Sequence, residues 1–184
     1  INAEGKRFTN ELLTRDVVSA AELKQPGRFA WVFWDDATRK SAKLMDSYIS
    51  MGLAVKGNTV AEIAKAMNVP AAELEVTLKA YAAGKAAGKD AFGRADMPQA
   101  MQTAPFFAVK VQPAVHHTMG GVKIDTKAEV LNPAGHTIPG LFAAGEVTGG
   151  VHGGNRLGGN AQADIVTFGR IAGQSADAYL KTAK

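Results

Sequence analysis

The sequence has 184 residues, enough for one good hydrophobic core or two small ones. Its 21 Lys and Arg are scattered among 17 Asp and Glu, and the net charge is only +4, which disfavours nucleic-acid binding. Cysteine is absent, which excludes disulfides, thiolate metal sites, iron–sulfur ligation and covalent c-type haem attachment in this chain. No apolar run approaches the roughly 20 residues of a membrane span, so no span is predicted. Because the first residues include neither an initiator Met nor a signal-peptide pattern, we expect a piece of a longer protein.

The first part of the chain is predicted to be mainly helical. Residues 1–16 should form a turn at Glu4-Gly5 and then a short extended stretch. The aromatic-rich run at 29–34 predicts a buried strand, and a helix is expected over about 37–48.

Two further helices follow in the middle of the chain. Thr59 and Glu62 have the Ser/Thr-x-x-Glu spacing of a capping box, which predicts a helix from there to about Asn68. Pro70 is suited to a first helical position, and apolar residues at helical spacing follow it.

The pattern changes after about Pro105, where strands and glycine-rich turns replace helices. Residues 106–111 and 122–125 are predicted strands, residues 132–135 a turn, and residues 138–146 a turn that feeds a buried strand. An amphipathic helix should run from about 160 to 180. The simplest interpretation is a helical insert, near 17–104, between two pieces of a mixed domain.

Four short motifs are candidates for chemistry. They are Thr14-Arg15-Asp16, His116–Gly121, Gly145–Gly150 and His152–Asn160. Three of the four histidines lie in the last three motifs, and dense glycine lets the backbone approach a ligand closely. The glycines at 158–159 lead straight into a helix, whose amino end suits an anion or an electron-rich carbonyl.

Each motif also has a purely structural interpretation. A glycine-rich turn before a helix is usually only a turn, and paired histidines can be one core and one surface residue. A lone glutamate such as Glu146 is often a cap or a surface carboxylate, and Arg15 beside Asp16 is most simply a local ion pair. The order and spacing of all four motifs together favour a functional site.

In those motifs, and in Gly5–Glu11 and Phe168-Gly169-Arg170, the chain resembles the soluble fumarate reductases of the flavocytochrome c type. These belong to the wider fumarate reductase and succinate dehydrogenase flavoprotein group. The resemblance implies an α+β fold: a helical clamp, or capping, lobe inserted in the carboxyl-terminal part of an FAD-binding α/β domain. It assigns 1–16 and 105–184 to the FAD-binding domain and 17–104 to the clamp domain.

The resemblance also implies a chemistry. Reduced FAD passes hydride from N5 to one alkene carbon of fumarate, and an arginine that matches Arg15 delivers a proton to the other, giving succinate. The residues that match substrate contacts are His116, Arg156 and Gly159, and those that match FAD contacts are His117, Glu146, Ala161 and Gln162. Because relatives carry an aliphatic residue at position 162, a flavin contact of Gln162 should use only its backbone.

Two carboxylates need at least two cationic or donor groups, which Arg and His supply. An arginine acid is chemically awkward, since guanidinium barely releases protons, so Arg15 must be reprotonated at once by upstream groups. The acidic residue and second arginine that do this in the family are not evident in this chain, nor is a Gly-x-Gly-x-x-Gly turn for the FAD pyrophosphate. We therefore expect the chain to hold FAD only partly and to be inactive alone.

Alternatives remain open at this point. The chain could belong to a reductase of another activated alkene acid, such as methacrylate, acrylate or urocanate, or it could be a non-catalytic folded fragment. Electrons could come from haem, FMN or a quinone-linked partner on absent domains or proteins. The family resemblance suggests electron transport in anaerobic respiration and a periplasmic location.

Overall fold

The computed structural model describes residues 1–182, in which helices and strands are mixed. The chain divides into two units, of which the first is Ile1–Ala114 and the second begins at Val115. The expected mixture of helices and strands is therefore confirmed.

A three-stranded antiparallel sheet lies in the first unit. Its strands are β1 (Ala30–Asp35), β2 (Ala54–Gly57) and β3 (Phe106–Val111), in the order β1-β3-β2. Aromatic residues join the strands, since the rings of Trp34 and Phe107 stack at 5.8 Å between centroids. The predicted strands at 29–34 and 106–111 are confirmed to within one residue.

Helices accompany this sheet. They are α1 (Arg15–Leu23), α2 (Asp36–Ser41), α3 (Leu44–Ser50), α4 (Val60–Met67) and α5 (Ala71–Ala86). Apolar residues of α4 and α5 pack with β3 to form the core, in which Ile63 and Leu74 are fully buried. The capping box is confirmed in part, because Thr59 Oγ1 accepts from the Glu62 N–H at 3.1 Å. The Glu62 carboxylate accepts from the N–H of Asn58, one residue earlier than the usual pattern.

An ionic cluster attaches the first residues to this unit. Arg7 Nη1 donates to Asp90 Oδ2 at 2.6 Å, and both side chains are buried. The same guanidinium lies over the rings of Tyr81 and Phe92, 5.0 Å from each centroid. Glu11 accepts two further hydrogen bonds from Arg7, so this arginine is held on several sides.

The second unit is built from short strands and one long helix. Strands β4 (Val122–Lys123) and β7 (Thr148–Gly149) pair in parallel, whereas β5 (Glu129–Leu131) and β6 (Thr137–Phe142) pair antiparallel. The helix α6 (Asn160–Thr182) follows a glycine-rich loop, close to the predicted start. Tyr179 on α6 meets the ring of Phe142 at 6.1 Å, which fixes the helix against β6.

Some local predictions were wrong. The helix expected over 37–48 is two helices, α2 and α3, broken at Ala42, where neither Gly nor Pro marks the break. In the segment 138–146, a turn and then a buried strand were expected. The strand β6 instead begins at Thr137, and most of its side chains are exposed. A 3₁₀ turn (Gly145–Val147) follows it. The sequence did not indicate α1 or β2.

The contacts also divide the chain at positions other than the expected domain boundaries. Residues 1–16 pack with 17–104 in the first unit through Arg7 and its partners. Strand β3 joins the same unit because it is the central strand of its sheet. Assignment of either unit to a clamp or an FAD-binding domain stays a prediction.

Over residues 1–182, none of the helices has the length and apolar character that crossing a membrane requires.

Candidate functional site

The predicted site residues fall into both units. Arg15 is exposed and is the first residue of α1, after Thr14, whose backbone is extended. An arginine at a helix amino end faces the partial positive charge of the helix, which is an unfavourable place for a cation. Asp16 in the first turn is the favourable counterpart. All other predicted site residues belong to the second unit.

Two backbone segments approach closely where β4 and β7 pair. A Cβ atom on Gly121 would collide with the carbonyl oxygen of Val147, and one on Gly149 would lie 2.7 Å from the Gly121 nitrogen. Only glycine fits such an approach. This contact brings the motif at 116–121 against the motif at 145–150.

The approach places Glu146 beside the histidine pair. Its Oε1 accepts a hydrogen bond from the Thr118 N–H at 2.9 Å. That bond lowers the pKa of the Glu146 carboxyl below its usual value, and the charges of His117 and His116 lower it further. Glu146 and His116 are both exposed, so the carboxylate and the ring can meet a ligand.

His117 lies inside the cluster rather than at its surface. Both of its ring nitrogens are covered, and neither has a hydrogen-bond partner within residues 1–182. Its ring meets that of His152 edge to face, with 5.3 Å between centroids. His152 in turn reaches Asp164 on α6, where Nε2 and Oδ2 are 3.1 Å apart. This contact ties His117 to the beginning of α6 through one intermediate residue.

Arg156 lies in the loop that precedes α6. The residue is half-buried, its Nη1 donates to the Leu157 carbonyl at 3.3 Å, and its covered Nε has no partner in the described part of the chain. Gly159 has φ of +88°, a conformation that favours glycine, and it directs the chain into the helix.

The first N–H groups of α6 differ in availability. The N–H of Gln162 donates to the Gly159 carbonyl at 2.9 Å, and that of Asn160 donates to the Leu157 carbonyl. The N–H of Ala161 has no partner among residues 1–182. Ala161 is therefore a donor at this helix end that remains for a ligand, whereas the backbone donor of Gln162 is already used.

A hollow of about 660 Å³ opens beside the β4–β7 pair. Gly120, Gly121, Gly149 and Gly150 supply much of its wall, and Phe168 of α6 contributes an aromatic ring. Glycine walls leave backbone groups open to a ligand.

Comparison with known proteins identifies the family. A family model described as an FAD binding domain matches residues 1–161. The chain belongs to this family. It is 55% identical to a probable fumarate reductase of Shewanella frigidimarina. The match covers 96% of this chain and 30% of that protein. It is 45% identical to an NADH:acrylate oxidoreductase of Vibrio harveyi. That match covers 96% of this chain and 18% of that protein.

A solved structure agrees with this assignment. The open conformation of a flavocytochrome c3 fumarate reductase matches 97% of this chain with a TM-score of 0.80 and 54% identity, over 32% of that chain. The chain therefore spans about a third or less of each of these three relatives.

The second unit has donors that suit FAD. The covered nitrogens of His117 have no partner in the described chain, and buried polar groups need partners. The N–H of Ala161 is a further donor without a partner there. A flavin carbonyl or ring nitrogen has the matching acceptors and donors. The residues present therefore fit the family's cofactor.

Sequence reasoning missed His152 and Asp164 as members of this cluster. The motif that begins at His152 was recognised, but for Arg156 and Gly159. No local signal links Asp164 to His152, because their contact depends on how the loop folds back on α6.

Proposed function

We propose that this chain is part of an FAD-dependent enzyme that reduces fumarate to succinate. The observation that best supports the proposal is that the second unit carries two sets of suitable groups. His116 and Arg156 suit carboxylates, whereas His117, Glu146 and Ala161 suit a flavin. The donors of Arg156 and His117 without partners are of the kind that such ligands need.

The chain's own residues have three tasks in this proposal. His116 and Arg156 bind the two substrate carboxylates, with the Gly159 backbone beside them. Arginine offers a planar pair of donors to one carboxylate, and histidine offers a directed donor to the other. These fixed positive groups also stabilise the negative charge that develops as the alkene is reduced.

Arg15 delivers the proton. When bound, reduced FAD supplies a hydride to one alkene carbon, and the proton from Arg15 completes the other, so that the product is succinate. The arginine must regain its proton at once from a neighbouring group, because free guanidinium is a very weak acid. Electrons reach the flavin from a separate donor, for which haem, FMN and a quinone-linked partner are the candidates. We place the enzyme in the periplasm.

Reduction of acrylate is the second candidate, since one relative is an acrylate oxidoreductase. Acrylate has one carboxylate and fumarate has two. A site that uses both His116 and Arg156 should therefore prefer fumarate, because one of the two groups has no carboxylate to bind when acrylate occupies it.

Turnover with a panel of alkene acids tests the proposal. The complete FAD-loaded protein is supplied with a reduced dye and with fumarate, acrylate, methacrylate or urocanate. We expect the largest kcat/KM with fumarate. If another of these acids has a larger kcat/KM, that acid and not fumarate is the substrate. Lack of turnover with all four acids in a protein that binds FAD would contradict the proposal.

A further inference from the structure

His152 and Asp164 form a covered pair that the proposed reaction does not use. The Nε2 and Oδ2 atoms are 3.1 Å apart, and the side chains are 10% and 2% exposed. The second oxygen, Oδ1, is buried without a partner in residues 1–182. A carboxylate hidden to this extent is costly unless it is paired, so the bond to His152 is what makes its burial tolerable.

The pair determines how the His152 ring is oriented. A carboxylate accepts, so Nε2 of His152 carries the proton and donates it towards Asp164. This bond selects one tautomer and one ring plane, as carboxylates do for other functional histidines. The oriented ring then lies edge to face with His117 at an angle of 86°.

His117 is the residue that gains from this orientation. Its two nitrogens have no partner that would fix the ring within residues 1–182. The ring of His152 packs edge to face against it and so restrains its plane. Because a hydrogen bond depends steeply on direction, a rotated His117 would lose its bond to a ligand.

We propose that His152 and Asp164 are positioning residues that act through His117. Asp164 orients His152, and His152 orients the ring of His117 towards FAD. This inference rests on the proposed function only in taking FAD as the partner of His117. The simpler possibility is that the pair only attaches the glycine-rich loop, residues 150–159, to α6.

Two substitutions separate positioning from attachment. His152→Gln keeps an amide donor for Asp164 and so keeps the attachment, but it removes the ring that contacts His117. Asp164→Asn keeps an accepting oxygen for His152 and so keeps the ring in place. The matched control is His136→Gln, since His136 is an exposed histidine in the turn between β5 and β6 of the same unit.

The measurements are the FAD dissociation constant and the flavin midpoint potential of the complete holoprotein, with thermal unfolding beside them. We expect His152→Gln to weaken FAD binding about tenfold, the effect of one hydrogen bond, and to shift the potential. Asp164→Asn and His136→Gln should stay close to the unaltered protein. If His152→Gln is stably folded and binds FAD normally with an unchanged potential, the pair only attaches the loop and the proposal is overturned.

A second measurement keeps the proposal open to refutation if His152→Gln folds poorly. Imidazole ¹⁵N NMR spectra of the unaltered, complete holoprotein should show a single tautomer of His152 with the proton on Nε2. Rapid averaging between tautomers would overturn the proposal. Neither measurement uses fumarate, so a holoprotein that binds FAD but does not reduce fumarate would contradict the proposed function alone.

Discussion

Asp90→Asn tests the contribution of the buried ionic cluster to the stability of the first unit. In the native chain Asp90 Oδ2 accepts from Arg7, while Oδ1 accepts from two backbone N–H groups. Asparagine keeps the accepting oxygen for the backbone and places a neutral amide against the guanidinium. The substitution therefore removes the ion pair and its hydrogen bond, and it sets two donor groups against each other.

The expected cost follows from burial. Removing one partner of a buried ion pair destabilises proteins by about 3–5 kcal/mol, because the other charge is left uncompensated. Arg7 keeps its bonds to Glu11, at 2.7 and 2.8 Å, so we expect the lower end, about 3 kcal/mol. A matched control is Glu75→Gln, which breaks an exposed pair with Lys79 and should cost less than about 1 kcal/mol.

Tryptophan fluorescence in a urea titration is the assay. The protein has two tryptophans, Trp31 and Trp34, and both lie in β1, so the signal reports the first unit. The pKa of Asp90 tends to rise with burial, but the hydrogen bond from Arg7 and the backbone bonds outweigh that effect and lower it. A lowered carboxyl pKa gives stability that is present above the unfolded pKa and lost as the pH falls through the folded one.

The difference in the free energy of unfolding between the native protein and Asp90→Asn should therefore be largest at neutral pH. It should shrink below about pH 3.9. If Asp90→Asn unfolds at the same urea concentration as Glu75→Gln, the buried pair does not stabilise the unit and the reasoning is refuted.

Three further predictions concern the second unit. In the complete enzyme, Arg156→Ala should lower kcat and raise KM, so that kcat/KM falls by about tenfold to a hundredfold. His116→Ala should cause a smaller fall in kcat/KM. Equal losses in steady-state kinetics would contradict this order. Because the folded pKa of Glu146 is lowered, its bond to the backbone should persist at neutral pH and break only as the pH falls below about 4.3, which an amide NMR titration would detect. Gly121→Ala should cost about 1–3 kcal/mol in thermal unfolding through its collision with backbone, while Gly120→Ala, which meets nothing within 4 Å, should cost far less.

Local chemistry explains which elements the sequence could predict. The helix after Thr59 was predictable because its cap lies within four residues, and the aromatic strands were predictable from composition. Strand β2 was not, since Ala54–Gly57 becomes a strand only by pairing with β3, some 50 residues away. The break between α2 and α3 has no local signal, and an ion pair between Arg39 and Asp46 spans it.

The same distinction applies to the site. The motifs around His116, Glu146 and Arg156 were recognisable because each is a continuous run of residues. The contact of His152 with both His117 and Asp164 was not, because it depends on how the loop folds back on α6. The division of the chain after Ala114 likewise depends on the pairing of β3 with β1.

Fumarate turnover by Arg15→Ala tests the central claim most directly. A general acid contributes roughly 10²–10⁴-fold to a rate, so kcat should fall by that factor in the complete FAD-loaded protein. KM and FAD content should stay close to those of the unaltered enzyme, since Arg15 is not proposed to hold either ligand. Arg28→Ala, which removes another exposed arginine of the first unit, should leave kcat unchanged. Near-normal turnover by Arg15→Ala would contradict the account, because the proton would then come from another group.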